Sequence, residues 1–213
     1  MPLNYPQPGQ RVADQSETNF QAAQAVNGKL NVPGGKLKIS NVPIGSVAYS
    51  SLGTSTTNVI QLWTTDIFVP LNRVVSNIAF LQGSGSVTDN WVGVIYDSYG
   101  NIVASTALAG QAQSGASTFQ VQAIALVYTQ SATTAGTFSS AAATSVSLLG
   151  PQQYFVGIQI NNTSANAINL VATNTFLDVC CGAITAGTFG TIPATITPVT
   201  TFTALKGPIA YLS

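Results

Sequence analysis

The chain has no histidine, and charged residues make up only 6% of its 213 residues, against about 25% in an average soluble protein. A serine or cysteine nucleophile therefore lacks the base that usually activates it. The carboxylate pair of a glycosidase is also hard to assemble, because the only acids after residue 40 are Asp66, Asp89, Asp97 and Asp178. These absences predict a protein that is not an enzyme and needs no cofactor.

Positive and negative charges balance, with six Lys and Arg against six Asp and Glu. A zero net charge gives no long-range field to attract nucleic acid or an acidic membrane surface. It also does little to oppose self-association, which favours a protein that works inside an assembly. The first residues, MPLNYPQPGQ, lack the basic start and apolar run of a secretory signal. We therefore expect synthesis in the cytoplasm and neither a nucleic-acid nor a membrane partner.

The only two cysteines are adjacent, Cys180 and Cys181. Neighbouring side chains on a strand point to opposite faces, so a disulfide between them requires a strained turn. We interpret them as free, partly buried thiols, with a vicinal or intermolecular disulfide as the alternative. A metal site is disfavoured because no histidine is present to complete it.

Residues 1–40 differ from the rest of the chain. They contain four of the ten prolines and four of the six basic residues. A short helix is predicted around residues 16–26, but no further periodicity indicates a face that could be buried. We predict an extended arm that docks on a partner, with its bases contacting an acidic surface of that partner. Those bases are Arg11, Lys29, Lys36 and Lys38.

Residues 41–213 contain short runs rich in Val, Ile, Thr and aromatic residues, separated by Gly, Asn and Ser clusters. Such runs are typical of antiparallel strands, and no helical stretch between them supplies the crossovers of a parallel sheet. We predict one all-β domain, an antiparallel β-sandwich that is jelly-roll-like. The predicted strands are 46–49, 59–65, 66–69, 73–82, 90–96, 102–107, 118–128, 146–148, 153–161 and 168–171, with weaker ones towards the C-terminus.

Asp97 lies between two predicted strands, in the sequence DSYGN. Its carboxylate can accept a backbone hydrogen bond two residues on, and Gly100 or Asn101 can adopt positive φ. We interpret Asp97 as a turn residue, with calcium coordination or catalysis as alternatives. Asp66 is predicted to begin a strand. Asp66 and Asp89 are both predicted to be solvent-exposed and to have structural roles.

Three other features are less specific. The low-complexity stretch 129–145 predicts a long surface loop or a weak edge strand. Trp91 and Tyr96 have opposite parity on one strand, so at least one of them is predicted to be core. Prolines at 193, 198 and 208 predict a C-terminal segment that runs extended along the sandwich or passes to a neighbouring subunit.

Several stretches together resemble the β-sandwich domains on the surface of tailed-phage virions. They are residues 78–83 (IAFLQG), 90–104 (NWVGVIYDSYGNIVA), 149–159 (LGPQQYFVGIQ) and the Thr/Pro-rich tail from residue 189. The resemblance covers roughly residues 60–213 and implies a non-enzymatic virion protein, either a capsid decoration (cement) protein or a head fibre. It implies no catalytic residue.

The residues and the resemblance predict the same function. We expect a structural virion protein that binds the major capsid protein or other virion proteins and forms a closed homo-oligomer, taken as a trimer. The alternative is a carbohydrate- or receptor-binding module, in which Tyr99 at the hairpin tip and the neighbouring Asn101 contact a host glycan.

Overall fold

The computed structural model describes residues 39–41, 61–82, 89–114, 118–161, 181–185, 187–198 and 208–213. Every regular element in these ranges is a β-strand. None of them contains a helix long and apolar enough to cross a membrane. The strands are β1 Ile39–Ser40, β2 Gln61–Val69, β3 Arg73–Val75, β4 Asn77–Gln82, β5 Asn90–Tyr96, β6 Ile102–Thr106, β7 Gln111–Ala112, β8 Thr118–Gln130, β9 Phe138–Ala142, β10 Val146–Leu148, β11 Gln152–Ile160, β12 Cys181–Thr185 and β13 Ala210–Leu212.

Eleven strands form one continuous sheet that folds into two facing layers, and β3 and β10 form a separate two-stranded sheet. All strand pairings are antiparallel. The back layer has the order β1-β13-β4-β8, and the front layer has the order β8-β6-β5-β11-β2-β12. Strand β8 belongs to both layers, because its first half pairs with β4 and its second half pairs with β6 and β9. The long strand therefore joins the two layers along one side of the sandwich.

The core lies between the layers, where side chains of β4 pack against side chains of β5. The rings of Phe80 and Trp91 meet edge to face, with centroids 5.8 Å apart. Gly93 provides the space for Ile78 from the opposite layer, since a Cβ at Gly93 would lie 3.0 Å from Ile78 Cγ2. Ile78, Phe80 and Trp91 belong to one continuous cluster of buried apolar side chains.

On the side of the sandwich opposite β8, the side chain of Asn41, immediately after β1, forms hydrogen bonds to both layers. Its Nδ2 donates to Thr65 Oγ1 on β2 at 2.9 Å and to the Pro208 carbonyl at 2.8 Å. Its Oδ1 accepts from the backbone N–H of Ala210 at 3.0 Å. Asn41 therefore links the edge of the back layer to β2 of the front layer, and the sandwich approaches a closed barrel.

The prediction of an all-β antiparallel sandwich is confirmed. The strands predicted at 90–96 and 146–148 match β5 and β10, whereas residues 61–65 and 66–69 of two predicted strands belong to the single strand β2. Residues 59 and 60 lie outside the described residues. The strand predicted at 73–82 is broken at Ser76, whose N–H donates to the Ser213 carbonyl and whose carbonyl accepts from Ile124. Residues 39–40, which were assigned to the arm, form β1 and pair with β13. Residues 1–38, with the predicted helix and the four bases, and the strands predicted at 46–49 and 168–171 lie outside the described residues.

Candidate functional site

Asp97 organises the turn between β5 and β6. Its Oδ1 accepts from the backbone N–H of Tyr99 at 2.9 Å and of Asn101 at 2.8 Å. Its Oδ2 accepts from Asn101 Nδ2 at 3.1 Å. Gly100 has φ +84°, as the turn requires. The turn interpretation of Asp97 is confirmed, and no cluster of three His, Cys, Asp or Glu able to hold a metal occurs in the described ranges.

The two residues predicted to contact a glycan differ in side-chain exposure and in hydrogen bonding. Tyr99 is 80% exposed at the tip of the hairpin. Asn101 is half-buried, its side-chain amide donates to Asp97, and its backbone forms a bridge with Thr195. Tyr99 is therefore free to contact another molecule, whereas Asn101 is held by the turn.

A C-terminal segment, residues 187–198, covers the outer face of the front layer, and we call it the strap. The Ile102 N–H donates to the Ala194 carbonyl at 3.0 Å, and the Ile196 N–H donates to the Gly100 carbonyl at 2.8 Å. Ile196 is buried in an outer apolar cluster with Leu62, Val94, Tyr96, Ile102 and Phe155. The expectation that this segment runs along the sandwich is confirmed for the strap.

A buried glutamine fixes the beginning of the strap. Gln159 of β11 is fully buried, and its Oε1 accepts from the Gly190 N–H at 2.8 Å. Its Nε2 faces the carbonyls of Thr188 and Thr191, each at 3.4 Å. The side chain thus pairs with three backbone groups of the strap and fixes its start against β11.

The strap explains why both Trp91 and Tyr96 are buried. Trp91 points between the layers, while Tyr96 points outward beneath the strap and donates its hydroxyl to the Pro193 carbonyl at 2.9 Å. Burial raises the pKa of the Tyr96 hydroxyl far above its ordinary value, and the nearby Tyr128 raises it further. Neither residue is therefore available as an exposed sugar platform.

Replacing Tyr96 by Phe is expected to make the free energy of unfolding decline less steeply with pH in the alkaline range. The unfolded tyrosine ionises as the pH rises through about 10, whereas the folded one stays neutral, so its stabilisation is present below that pH and declines above it. The decline is about 1.4 kcal/mol per pH unit for each such tyrosine. Urea unfolding between pH 8 and 11 measures it, and Tyr99→Phe at the exposed tip is the control. An unchanged slope in Tyr96→Phe would contradict the buried, neutral hydroxyl.

Two predictions about the other acids are wrong. Asp89 is fully buried and not exposed, and the Gln113 N–H donates to its backbone carbonyl at 2.8 Å. Asp66 lies within β2, where Gln153 of the adjacent β11 donates to its Oδ2 at 3.1 Å. Asp66 is partly exposed and Asp178 lies outside the described part of the chain. Among the described residues, no two of these acids are seen to face each other across a cleft, as a glycosidase would require.

The low-complexity stretch contains β9, which pairs with the end of β8 from Leu126↔Ala142 to Gln130↔Phe138. Four of its five residues are exposed. No strand pairs with its other edge in the ranges that the structure describes. Residues 98–177 contain no Asp, Glu, Lys or Arg, so this edge strand carries neither charge nor proline. The edge-strand alternative for residues 129–145 is the one that applies.

No sequence pattern predicted a group of buried amides in the described part of the sandwich. Gln82 ends β4, Gln120 lies near the start of β8, and Gln113 follows β7. All three are buried, as is Trp91 at the start of β5. We call these four residues the glutamine cluster. The only signal in the sequence is the alternation of Gln120 and Gln122 along β8, which places both on one face.

The cysteine prediction is not tested. Cys181 begins β12, which pairs with β2 through Cys181↔Thr65, and Cys180 lies outside the described residues. The same holds for the four bases of the arm. Compared with known proteins, the chain matches no protein-family model, no characterised protein and no solved structure.

Proposed function

We propose that this chain is a non-enzymatic structural component of a tailed-phage virion, attached to the capsid as a decoration protein or head fibre. Its partners are the major capsid protein or other virion proteins, together with further copies of itself. The residue patterns that resemble virion β-sandwich proteins support this proposal, as does the neutral surface.

The observation that carries the proposal is the uncharged edge strand β9. A free strand edge offers unpaired N–H and C=O groups to another chain, and natural monomeric proteins usually block such edges with Lys, Pro or a bulge. The described edge of β9 has none of these, and its exposed side chains are the small residues Ser139, Ser140, Ala141 and Ala142. Small neutral side chains allow a second backbone to approach closely, so β9 is suited to a subunit contact.

Exposed apolar side chains near one end of the sandwich also favour contacts with other subunits. Phe68, Val74 and Leu149 are 59%, 66% and 63% exposed. They lie on neighbouring segments, because Phe68 pairs with Gln153 in β11 and β3 pairs with β10 just before Leu149. Burial of such side chains between subunits is the usual apolar core of an interface, and it requires no charge.

The number of copies per particle tests the proposal. We expect hundreds of copies of this chain per purified virion, measured by quantitative mass spectrometry against the main shell protein. A few dozen copies or fewer would favour the second candidate, a receptor- or glycan-binding fibre module, for which the exposed ring of Tyr99 is the supporting observation. Absence of the chain from the particles would overturn both.

A lysine on the edge strand is expected to prevent assembly without unfolding the protein. Ala141→Lys places a charge on the described free edge of β9, where a neighbouring strand would have to bury it. We expect at least a tenfold loss of incorporation into particles and a shift to monomer in sedimentation experiments. Ala135→Lys is the matched control, since Ala135 is exposed in the turn between β8 and β9. Equal behaviour of the two variants would show that β9 is not the contact strand.

A further inference from the structure

Strand β9 bonds to β8 through every second residue. Just before β9, the Ser131 N–H donates to the Thr137 carbonyl at 2.7 Å, and just after it the Ala143 N–H donates to the Ala125 carbonyl at 3.0 Å. Both bonds continue the β8–β9 register. In an antiparallel ladder, residues that bond to one neighbour alternate with residues that point away from it. The odd-numbered residues of β9 therefore bond to β8, and the even-numbered ones direct their N–H and C=O groups to the free edge.

Three residues of β9 thus offer backbone groups to another strand, namely Phe138, Ser140 and Ala142. They supply alternating donors and acceptors at the spacing of a regular strand. The side chains of residues 139–142 are exposed and that of Phe138 is half-buried. No strand in the described ranges pairs with this edge, so it is accessible to a second chain.

The edge of β9 is complementary to itself in one antiparallel register. With Ser140 opposite the partner's Ser140, Phe138 lies opposite the partner's Ala142, and Ala142 lies opposite the partner's Phe138. Each of these pairs exchanges both N–H···O bonds, which gives about six bonds across the contact. Centring the contact one residue earlier or later leaves one of the three outward residues without a partner in the second β9.

The side chains in this register also fit. Phe138 packs against the outer apolar cluster together with Ile192 and Ala194 of the strap. The partner's Ala142 is directly opposite Phe138, with Cβ atoms about 5 Å apart, so a small side chain meets the only large one of the strand. Residues 98–177 carry no charge, so no like charges meet when this strand pairs with an identical one.

We propose that two copies of this chain associate through β9, antiparallel about a two-fold axis at Ser140, so that their front layers become one continuous sheet. Two-fold contacts between identical surfaces are the commonest in homo-oligomers. The reciprocal match of Phe138 with Ala142 favours a second copy over a strand of a different virion protein. The contact implies an even number of chains and not the trimer expected from the sequence. The inference rests on the proposed function only in taking β9 as a subunit contact.

Disulfide trapping tests the position of the two-fold axis. Ser140→Cys and Ala142→Cys are each made in the full chain with Cys180→Ser and Cys181→Ser, and both are oxidised in air. Two copies of residue 140 have Cα atoms about 5.5 Å apart, within the range of a disulfide. Two copies of residue 142 are separated by about 13 Å along the strands, which is too far. Both side chains are exposed in the single chain, so Ala142→Cys is the matched control.

We expect a disulfide-linked dimer from Ser140→Cys and almost none from Ala142→Cys, measured by non-reducing gel and intact mass. Equal amounts from the two variants would indicate random collisions between exposed thiols. No linked dimer from either would indicate a different partner or register for β9. Either of these results would overturn the two-fold contact.

Proline variants test the backbone bonds. Ser140→Pro removes the N–H at the centre of the contact but no hydrogen bond of the single chain, since that N–H points to the free edge. We expect an unchanged Tm and a dissociation constant at least tenfold higher in sedimentation equilibrium. Ser139→Pro is the control, because it removes an N–H that bonds to β8 and is expected to lower the Tm.

The purified chain and the virion give separate answers. A wild-type chain that stays monomeric at about 0.1 mM, or a Ser140→Pro variant that dimerises as well as the wild type, would overturn the two-fold contact. Hundreds of copies per particle together with a monomeric chain would leave the virion proposal standing. A chain that dimerises through β9 but is absent from particles would overturn the virion proposal and support the contact.

Discussion

Replacing Gly100 by Ala is expected to lower the free energy of unfolding by about 3–5 kcal/mol, through backbone strain and a clash together. Gly100 has φ +84°, a conformation that a residue with a Cβ adopts at a cost. The added methyl group would also collide with the carbonyl oxygen of Ile196 in the strap. Relief of that collision requires the strap to move away, which breaks the bond from the Ile196 N–H to the Gly100 carbonyl.

Gly136→Ala separates the two causes. Gly136 has φ +76° in the turn between β8 and β9, and no atom lies within 4 Å of the position its Cβ would occupy. This variant should show the conformational cost alone, about 1–2 kcal/mol. Both free energies are measured by urea unfolding at neutral pH. Losses of the same size in the two variants would mean that the strap does not contribute to stability at Gly100.

Local sequence signals were sufficient for most of the strands and for the Asp97 turn. Strand β5 and the DSYGN turn were predictable because alternating apolar residues and turn-forming side chains act within a few positions. The arrangement of the strands in two layers depends on pairing between strands that are far apart in the sequence. Strand β8 changes partners halfway along, from β4 to β6 and β9, and nothing in its own sequence marks the change.

Long-range contacts account for the features that sequence reasoning missed. Strand parity predicted that at least one of Trp91 and Tyr96 is core, and it could not predict that both are buried. The second face of β5 is covered by the strap, about a hundred residues later. Asp89 was predicted to be exposed from its position beside a turn, but it is fully buried, and its backbone pairs with Gln113, twenty-four residues later. The glutamine cluster escaped prediction for the same reason, since it joins ends of β4, β5, β7 and β8.

The absence of charge has different consequences at the edge strand β9 and in the interior of the sandwich. At the edge, neutral residues leave β9 open to a partner backbone, so the absence of charge favours association. In the interior, amides replace charged groups as the polar side chains, because an amide can be buried at lower cost if it is paired. This is consistent with the five glutamines among the buried polar residues, such as Gln159, which is paired with the strap.

Replacing Asp97 by Ala is expected to lower the free energy of unfolding by about 2–4 kcal/mol, because hydrogen bonds to a charged acceptor contribute more than neutral ones. The variant loses the three bonds that Asp97 accepts from Tyr99 and Asn101. The effect extends to the strap, since Asn101 forms the bridge with Thr195.

Asp97→Asn tests whether geometry or charge is decisive at this turn. Its Oδ1 can still accept from both backbone N–H groups, but its Nδ2 replaces the oxygen that faces the Asn101 amide, so we expect a loss of about 1 kcal/mol. Urea unfolding of both variants is repeated with calcium and with EDTA, because calcium coordination was the alternative role of this carboxylate. A midpoint that is the same under both conditions supports the turn role. A rise with calcium in the wild type that disappears in Asp97→Asn would show that the carboxylate binds the ion, and the turn alone would no longer account for Asp97.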